Sequence, residues 1–142
     1  MTIPVLPSAK LTTILLVDDD DHVRTLCRDC LTQSGFRVLE GDSGFEALLV
    51  AASYDGAIDV LITDLEMPRI SGAELAHVIK TRWPTIGVLY ISGSPIESIR
   101  TDCDFAFLPK PFLPGALLKT IAEVLGTRYY FQGIGNGSPG VM

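Results

Sequence analysis

The chain has 142 residues, 47% of them hydrophobic and 20% charged, which suits one globular domain and leaves little room for a second. Eleven Lys and Arg against seventeen Asp and Glu give a formal charge of −6, the wrong sign for gripping a phosphate backbone by counterion release, so nucleic acid is a poor first partner. The longest unbroken apolar stretch, Ala47 to Ala52, falls far short of the ~20 residues that a bilayer-spanning helix needs.

Residues 1–11, with Pro4 and Pro7, read as a linker or lead-in. They lack the basic start and apolar block of a secretory signal, and a cytosolic domain is expected. Thr13-Ile14-Leu15-Leu16-Val17 is a β-branched and aliphatic run that ends abruptly in four aspartates, Asp18 to Asp21. A strand buried on both faces has this pattern. Val23, Leu26, Cys27, Cys30 and Leu31 then fall at i, i+3, i+4, i+7 and i+8, the stripe of an amphipathic helix that Ser34-Gly35 stops. Cys27 and Cys30 form a Cys-x-x-Cys pair, but they lie on that stripe and no second pair completes a zinc site, so they are read as small core residues. Three cysteines, an odd number, point to a reducing compartment rather than a disulfide framework.

Phe36 to Glu40 is a second strand, and Ser43 to Ser53 a second helix with Phe45, Leu48, Leu49 and Ala52 at helical spacing. Val60-Leu61-Ile62-Thr63 forms the third apolar run, closed by Asp64 and a loop through Gly72. Leu75, Val78, Ile79 and Trp83 line a third helix that Pro84 ends. Gly87 to Ile91 is the fourth strand, followed by Ser92-Gly93-Ser94 and a short fourth helix from Pro95 to Asp102. Phe105 to Leu108 is the fifth strand, and Leu117, Leu118, Ile121, Val124 and Leu125 mark a fifth helix. Residues 126–142 form a glycine-rich tail in which Tyr130-Phe131-Gln132-Gly133 looks like part of an engineered protease site.

Strands alternating with helices imply an α/β domain over residues 12–125, with a five-stranded parallel sheet doubly wound by helices on both faces. Functional groups in such sheets gather beyond the carboxyl ends of the strands. Here those ends carry Asp18 and Asp19, Asp64, Ser92 and Lys110. Carboxylates crowded into one crevice raise each other's pKa unless a cation compensates, and Mg²⁺, which takes oxygen ligands and keeps several waters, is the ion they suit. An aspartate beside such an ion can attack phosphorus and become an acyl phosphate, which makes Asp64 the candidate nucleophile. Lys110 would add positive charge around the phosphoryl oxygens, and Ser92 a hydroxyl donor.

These residues complete a pattern. The segments Ile14-Leu15-Leu16-Val17-Asp18-Asp19, Leu61-Ile62-Thr63-Asp64-Leu65-Glu66-Met67-Pro68, Ser71-Gly72, Ile91-Ser92-Gly93 and Lys110-Pro111-Phe112 stand in the order found in receiver domains of two-component response regulators, and the chain resembles that family over roughly Thr12 to Leu125. The resemblance implies a flavodoxin-like (βα)5 fold and an Asp64 that accepts phosphate from a histidine kinase or a histidine phosphotransfer protein. It implies Mg²⁺ held by Asp18, Asp19, Asp64 and the backbone carbonyl of Glu66, with Asp19 touching the ion directly and Asp18 mostly through water. Ser92 and Phe107 would be the switch residues and Lys110 the phosphoryl partner, with a cis Lys110–Pro111 bond. Homodimerisation through the fourth helix, fifth strand and fifth helix would be one output. Phe107 stands where the family commonly has tyrosine, so its ring has no hydroxyl to present.

Asp18 to Asp21 could be a solvated helix N-terminus, which suffices for Asp20 and Asp21 but not for Asp18 and Asp19 within the motif set. The domain could keep the fold as a phosphorylation-independent interaction module, although every acceptor-site residue type is present. A metal-dependent phosphatase would place its Asp-x-Asp after the first strand, whereas Asp64-Leu65-Glu66 follows the third. His22 and His77 have no partner pattern, so no phosphodonor histidine is expected in the chain. Pro4, Pro7 and the Ile91-Ser92-Gly93-Ser94 segment look like receivers fused behind histidine kinases.

Overall fold

A computed structural model of the chain describes residues 11–94 and 105–126. The five expected strands are β1 (Thr13–Val17), β2 (Arg37–Gly41), β3 (Val60–Asp64), β4 (Gly87–Ser92) and β5 (Ala106–Pro109). Four helices accompany them: α1 (Asp21–Gln33), α2 (Gly44–Ser53), α3 (Gly72–Arg82) and α4 (Pro114–Val124). The helix expected over Pro95 to Asp102 lies outside the described residues, as do the lead-in up to residue 10 and the tail from residue 127. All pairings are parallel, in the order β2-β1-β3-β4-β5.

The aliphatic runs of β1, β3 and β4 are continuous because these central strands are covered on both faces. Ile14 and Leu16 of β1, Val60 and Ile62 of β3, and Leu89 and Ile91 of β4 face Cys27 and Leu31 of α1 and Leu117 and Ile121 of α4. The alternate residues Leu15, Val17, Leu61, Val88 and Tyr90 meet Ala47 and Ala51 of α2 and Leu75 and Ile79 of α3. A side-chain period of two thus feeds two cores from one sheet. Cys27 is buried and unpaired, and burial above all pushes its thiol up to about 12. It stays protonated, as a core residue should.

Three expected stripes need correction. On α2, Phe45 and Leu49 are 65% and 54% exposed, and Ala52 is exposed as well, while the buried positions are Gly44, Ala47 and Ala51. The helix lies so close to the sheet that a Cβ on Gly41 would come within 2.9 Å of the Ala47 backbone. Only small residues fit that seam; Leu48 and Val50 are partly buried against the core, and Phe45 and Leu49 are turned outward. Leu26 on α1 and Val78 on α3 are likewise exposed, so the apolar period there is wider than the buried stripe.

Helix starts follow local chemistry. The Asp20 carboxylate accepts from the N–H groups of His22 and Val23 at the head of α1, and Ser43 accepts from Glu46 at the head of α2. Ser71 and Glu74 form a reciprocal capping box at α3. Pro114 opens α4 at a position whose N–H would have no helical acceptor.

Candidate functional site

In this strand order the chain turns from one direction of winding to the other between β1 and β3, and the crevice opens beyond their carboxyl ends. Asp18 and Asp19 follow β1, and Asp64 is the last residue of β3. Each of the three offers a carboxylate oxygen, and these atoms all lie within 4.8 Å of one another. Asp18 and Asp64 are buried and Asp19 is exposed.

Lys110, just after β5, reaches into the same crevice. Its Nζ lies 3.1 Å from Asp18 Oδ2 and donates to Asp64 Oδ2 at 3.2 Å. Burial alone would push the ammonium down, but the Asp18 and Asp64 carboxylates outweigh it and hold Lys110 above its ordinary value. Burial also pushes the Asp64 carboxyl above its ordinary value, and the Asp18 carboxylate adds to this. The Glu66 N–H and Lys110 pull the other way. Asp18 Oδ2, fully buried, has the ionic contact with Lys110 but no hydrogen-bond donor.

Three carboxylates and one ammonium leave a charge of minus two in one crevice, and one of the oxygens lacks a hydrogen bond. That donor set, all oxygen and half-buried, fits a hard divalent cation.

The strands place the remaining expected residues around this centre. Asp64 pairs in register with Ile91, so Ser92 stands one step beyond it on the neighbouring strand. Ser92 is buried, its Oγ accepts from Ser94 N at 2.9 Å, and its carbonyl accepts from Lys110 N at 2.8 Å. The Glu66 N–H donates to Asp64 Oδ1 at 3.1 Å, while its exposed carboxylate accepts from Ser94 Oγ at 2.5 Å. Phe107 pairs in register with Tyr90 and is partly buried against the core on the α2 and α3 side. The Lys110–Pro111 bond is cis.

Contacts that sequence reasoning missed hold the site in shape. Arg24 Nη1 donates to the Asp18 carbonyl at 2.7 Å, and the buried Thr63 hydroxyl donates to the Asp64 carbonyl at 2.9 Å. Ser94 bridges toward Glu66 as described. Only the i, i+3 spacing of Asp21 and Arg24 was visible beforehand as a pairing signal.

Gly72, at the start of α3, donates to the Leu65 carbonyl at 2.9 Å, and a Cβ there would fall 2.3 Å from the Asp64 carbonyl oxygen and 2.9 Å from Leu65 Cα. Both obstacles are backbone and neither can rotate away. Gly72→Ala is therefore expected to lower the unfolding free energy read from urea denaturation by about 1–3 kcal/mol, as for other overpacked sites.

A family model described as the response regulator receiver domain matches residues 14–122. The chain is 34% identical over 117 residues to a sensor kinase, CckA, of Brucella abortus, a match covering 80% of this chain and 12% of that protein. It is 31% identical over 133 residues to the transcriptional regulatory protein CpxR of Escherichia coli K12, covering 89% of this chain and 56% of the other. It thus spans from a small part to about half of these relatives. Among solved structures, the receiver domain of the hybrid histidine kinase CckA superposes with a TM-score of 0.70 at 35% identity, covering 80% of this chain and 98% of that one. The chemotaxis response regulator CheY4 of Vibrio cholerae gives 0.74 at 29% identity, covering 82% and 100%. Domains of this kind are signalling modules rather than enzymes acting on a separate substrate. Acidic cluster, lysine, strand order and matched length agree: the chain belongs to the family of response regulator receiver domains.

Proposed function

We propose that the domain accepts a phosphoryl group from a phosphohistidine onto Asp64 in the presence of Mg²⁺, and that phosphorylation changes its interaction surface. The observation that carries this reading is the gathering of three carboxylates within 4.8 Å, with Lys110 in contact with two of them. An Asp64 oxygen attacks phosphorus, the phosphorus–nitrogen bond breaks, and its electron pair returns to the imidazole of the donor. When bound to Asp18, Asp19, Asp64 and the Glu66 carbonyl, Mg²⁺ supplies positive charge beside the phosphoryl oxygens. Lys110 supplies the second positive charge, and the Ser92 hydroxyl donates to a phosphoryl oxygen once its side chain turns toward it. Phe107 follows into the space that Ser92 leaves, and the changed face is the signal.

The donor in this reading is a histidine kinase or a histidine phosphotransfer protein, supported by the sensor kinase and hybrid histidine kinase among the similar proteins. Such a partner places residues 12–125 in the cytoplasm. Among the described residues no helix is long and apolar enough to cross a membrane. A homodimer through β5 and α4 would also use the segment between β4 and β5, part of which lies outside the described residues.

The test is intact mass spectrometry after incubation with acetyl phosphate. With Mg²⁺, one phosphate-sized adduct is expected; with the ion chelated, almost none. No adduct under either condition would leave a phosphorylation-independent interaction domain.

A further inference from the structure

The polar groups of Asp18 are accounted for one by one. Its N–H donates to the Gly41 carbonyl of β2 at 3.2 Å. Its Oδ1 accepts from Asp20 N at 2.8 Å, and its carbonyl accepts from Arg24 Nη1 at 2.7 Å. Only Oδ2, the atom facing Lys110, has no hydrogen-bond donor. Three pins therefore fix this residue and leave a single oxygen for the crevice.

We propose that Arg24 is a positioning residue of the cation site, acting through the Asp18 backbone; this rests on reading the acidic trio as a Mg²⁺ centre. Arg24 lies one turn into α1 with its side chain 16% exposed, and its planar fork ties three segments together. Besides the Asp18 carbonyl, its Nη2 donates to Asp21 Oδ1 at 2.6 Å, and its Nε lies 3.4 Å from Glu40 Oε1 on β2. Lysine, with one compact ammonium, cannot span three such acceptors. The end of β1 is thereby clamped against the head of α1 and the edge strand.

Positioning and simple electrostatics predict opposite signs. A guanidinium near a cation site repels the cation, and its loss also frees the charges of Asp21 and Glu40, so Coulomb attraction alone would tighten Mg²⁺ binding to Arg24→Ala. Loss of the pin instead releases the Asp18 loop and weakens binding. Arg28, on the same helix, pairs with Asp29 and Glu40 and forms no hydrogen bond to the Asp18 backbone, and so reports charge without positioning.

Titration calorimetry with magnesium chloride on the full chain separates these cases. Arg24→Ala is expected to raise the Mg²⁺ Kd about tenfold, the lower end of what residues orienting a metal ligand contribute. Arg28→Ala should leave it unchanged or slightly lower. If Arg24→Ala fails to fold by circular dichroism, Arg24→Met, which keeps an apolar stem and has no donor, decides by the same criterion. A Kd for the Arg24 variant equal to or below that of the wild type overturns the proposal. A wild type that binds no Mg²⁺ overturns the Mg²⁺ reading itself, and this inference with it.

Discussion

Asp64→Asn loses the phosphate-sized adduct entirely and, in Mg²⁺-free buffer at neutral pH, unfolds at a higher temperature than the wild type. The first effect follows because an amide cannot form the acyl phosphate. The second follows from the direction in which Asp64 is pushed: burial and the neighbouring Asp18 favour its neutral form in the folded state. A carboxyl whose folded pKa is raised contributes stability below the ordinary aspartate value of 3.8 and loses it as pH rises through the folded value. The advantage of Asp64→Asn should therefore grow from acid pH toward neutrality. Saturating Mg²⁺ should narrow it, because the ion stabilises only a site that binds it well. Thermal unfolding at several pH values, with and without Mg²⁺, reads all three trends.

Lys110→Met is expected to slow phosphate uptake from acetyl phosphate by about 10²–10³-fold, the usual cost of removing one donor aimed at developing charge. The methionine stem fills the same space, so the loss isolates the ammonium. The variant also leaves Asp18, fully buried, beside Asp64 without a counter-charge. Breaking a fully buried pair costs about 3–5 kcal/mol. Lys110 is 22% exposed, so solvent screening reduces this to about 2 kcal/mol without Mg²⁺. Added Mg²⁺ should recover much of that stability but not the rate. A variant that takes up phosphate at the wild-type rate would remove Lys110 from the account.

Sheet and crevice were legible in the sequence for one physical reason. Strands covered on both faces must be continuous aliphatic runs, and they stop where polar groups begin, so Val17-Asp18 and Thr63-Asp64 mark both a strand end and a site. Gly72 was legible only as part of a motif, and Lys110 as a positive charge for the crevice, but the contacts that hold them were not. The carbonyl that excludes a Cβ at Gly72 comes from Asp64 across the intervening loop, and the two carboxylates that share Lys110 come from distant strand ends. The buried face of α2 was misread because periodicity weighs large apolar residues. The seam with β2 is set by Gly41 and Ala47, whose smallness brings the helix in, while Gly44 makes room for Ile70 and Phe45 and Leu49 are turned outward. Arg24 and Ser94 escaped notice because their acceptors, a backbone carbonyl and an exposed carboxylate, become partners only through loop geometry.

Borohydride trapping tests the central claim most directly. An aspartyl phosphate formed with acetyl phosphate and Mg²⁺ is reduced to homoserine, and tandem mass spectrometry locates that residue in the digested chain. Homoserine at position 64, absent when the ion is chelated, is the predicted result. Homoserine at position 18 or 19, or none in a protein that binds Mg²⁺, would contradict a crevice whose crowded carboxylates make Asp64 the acceptor.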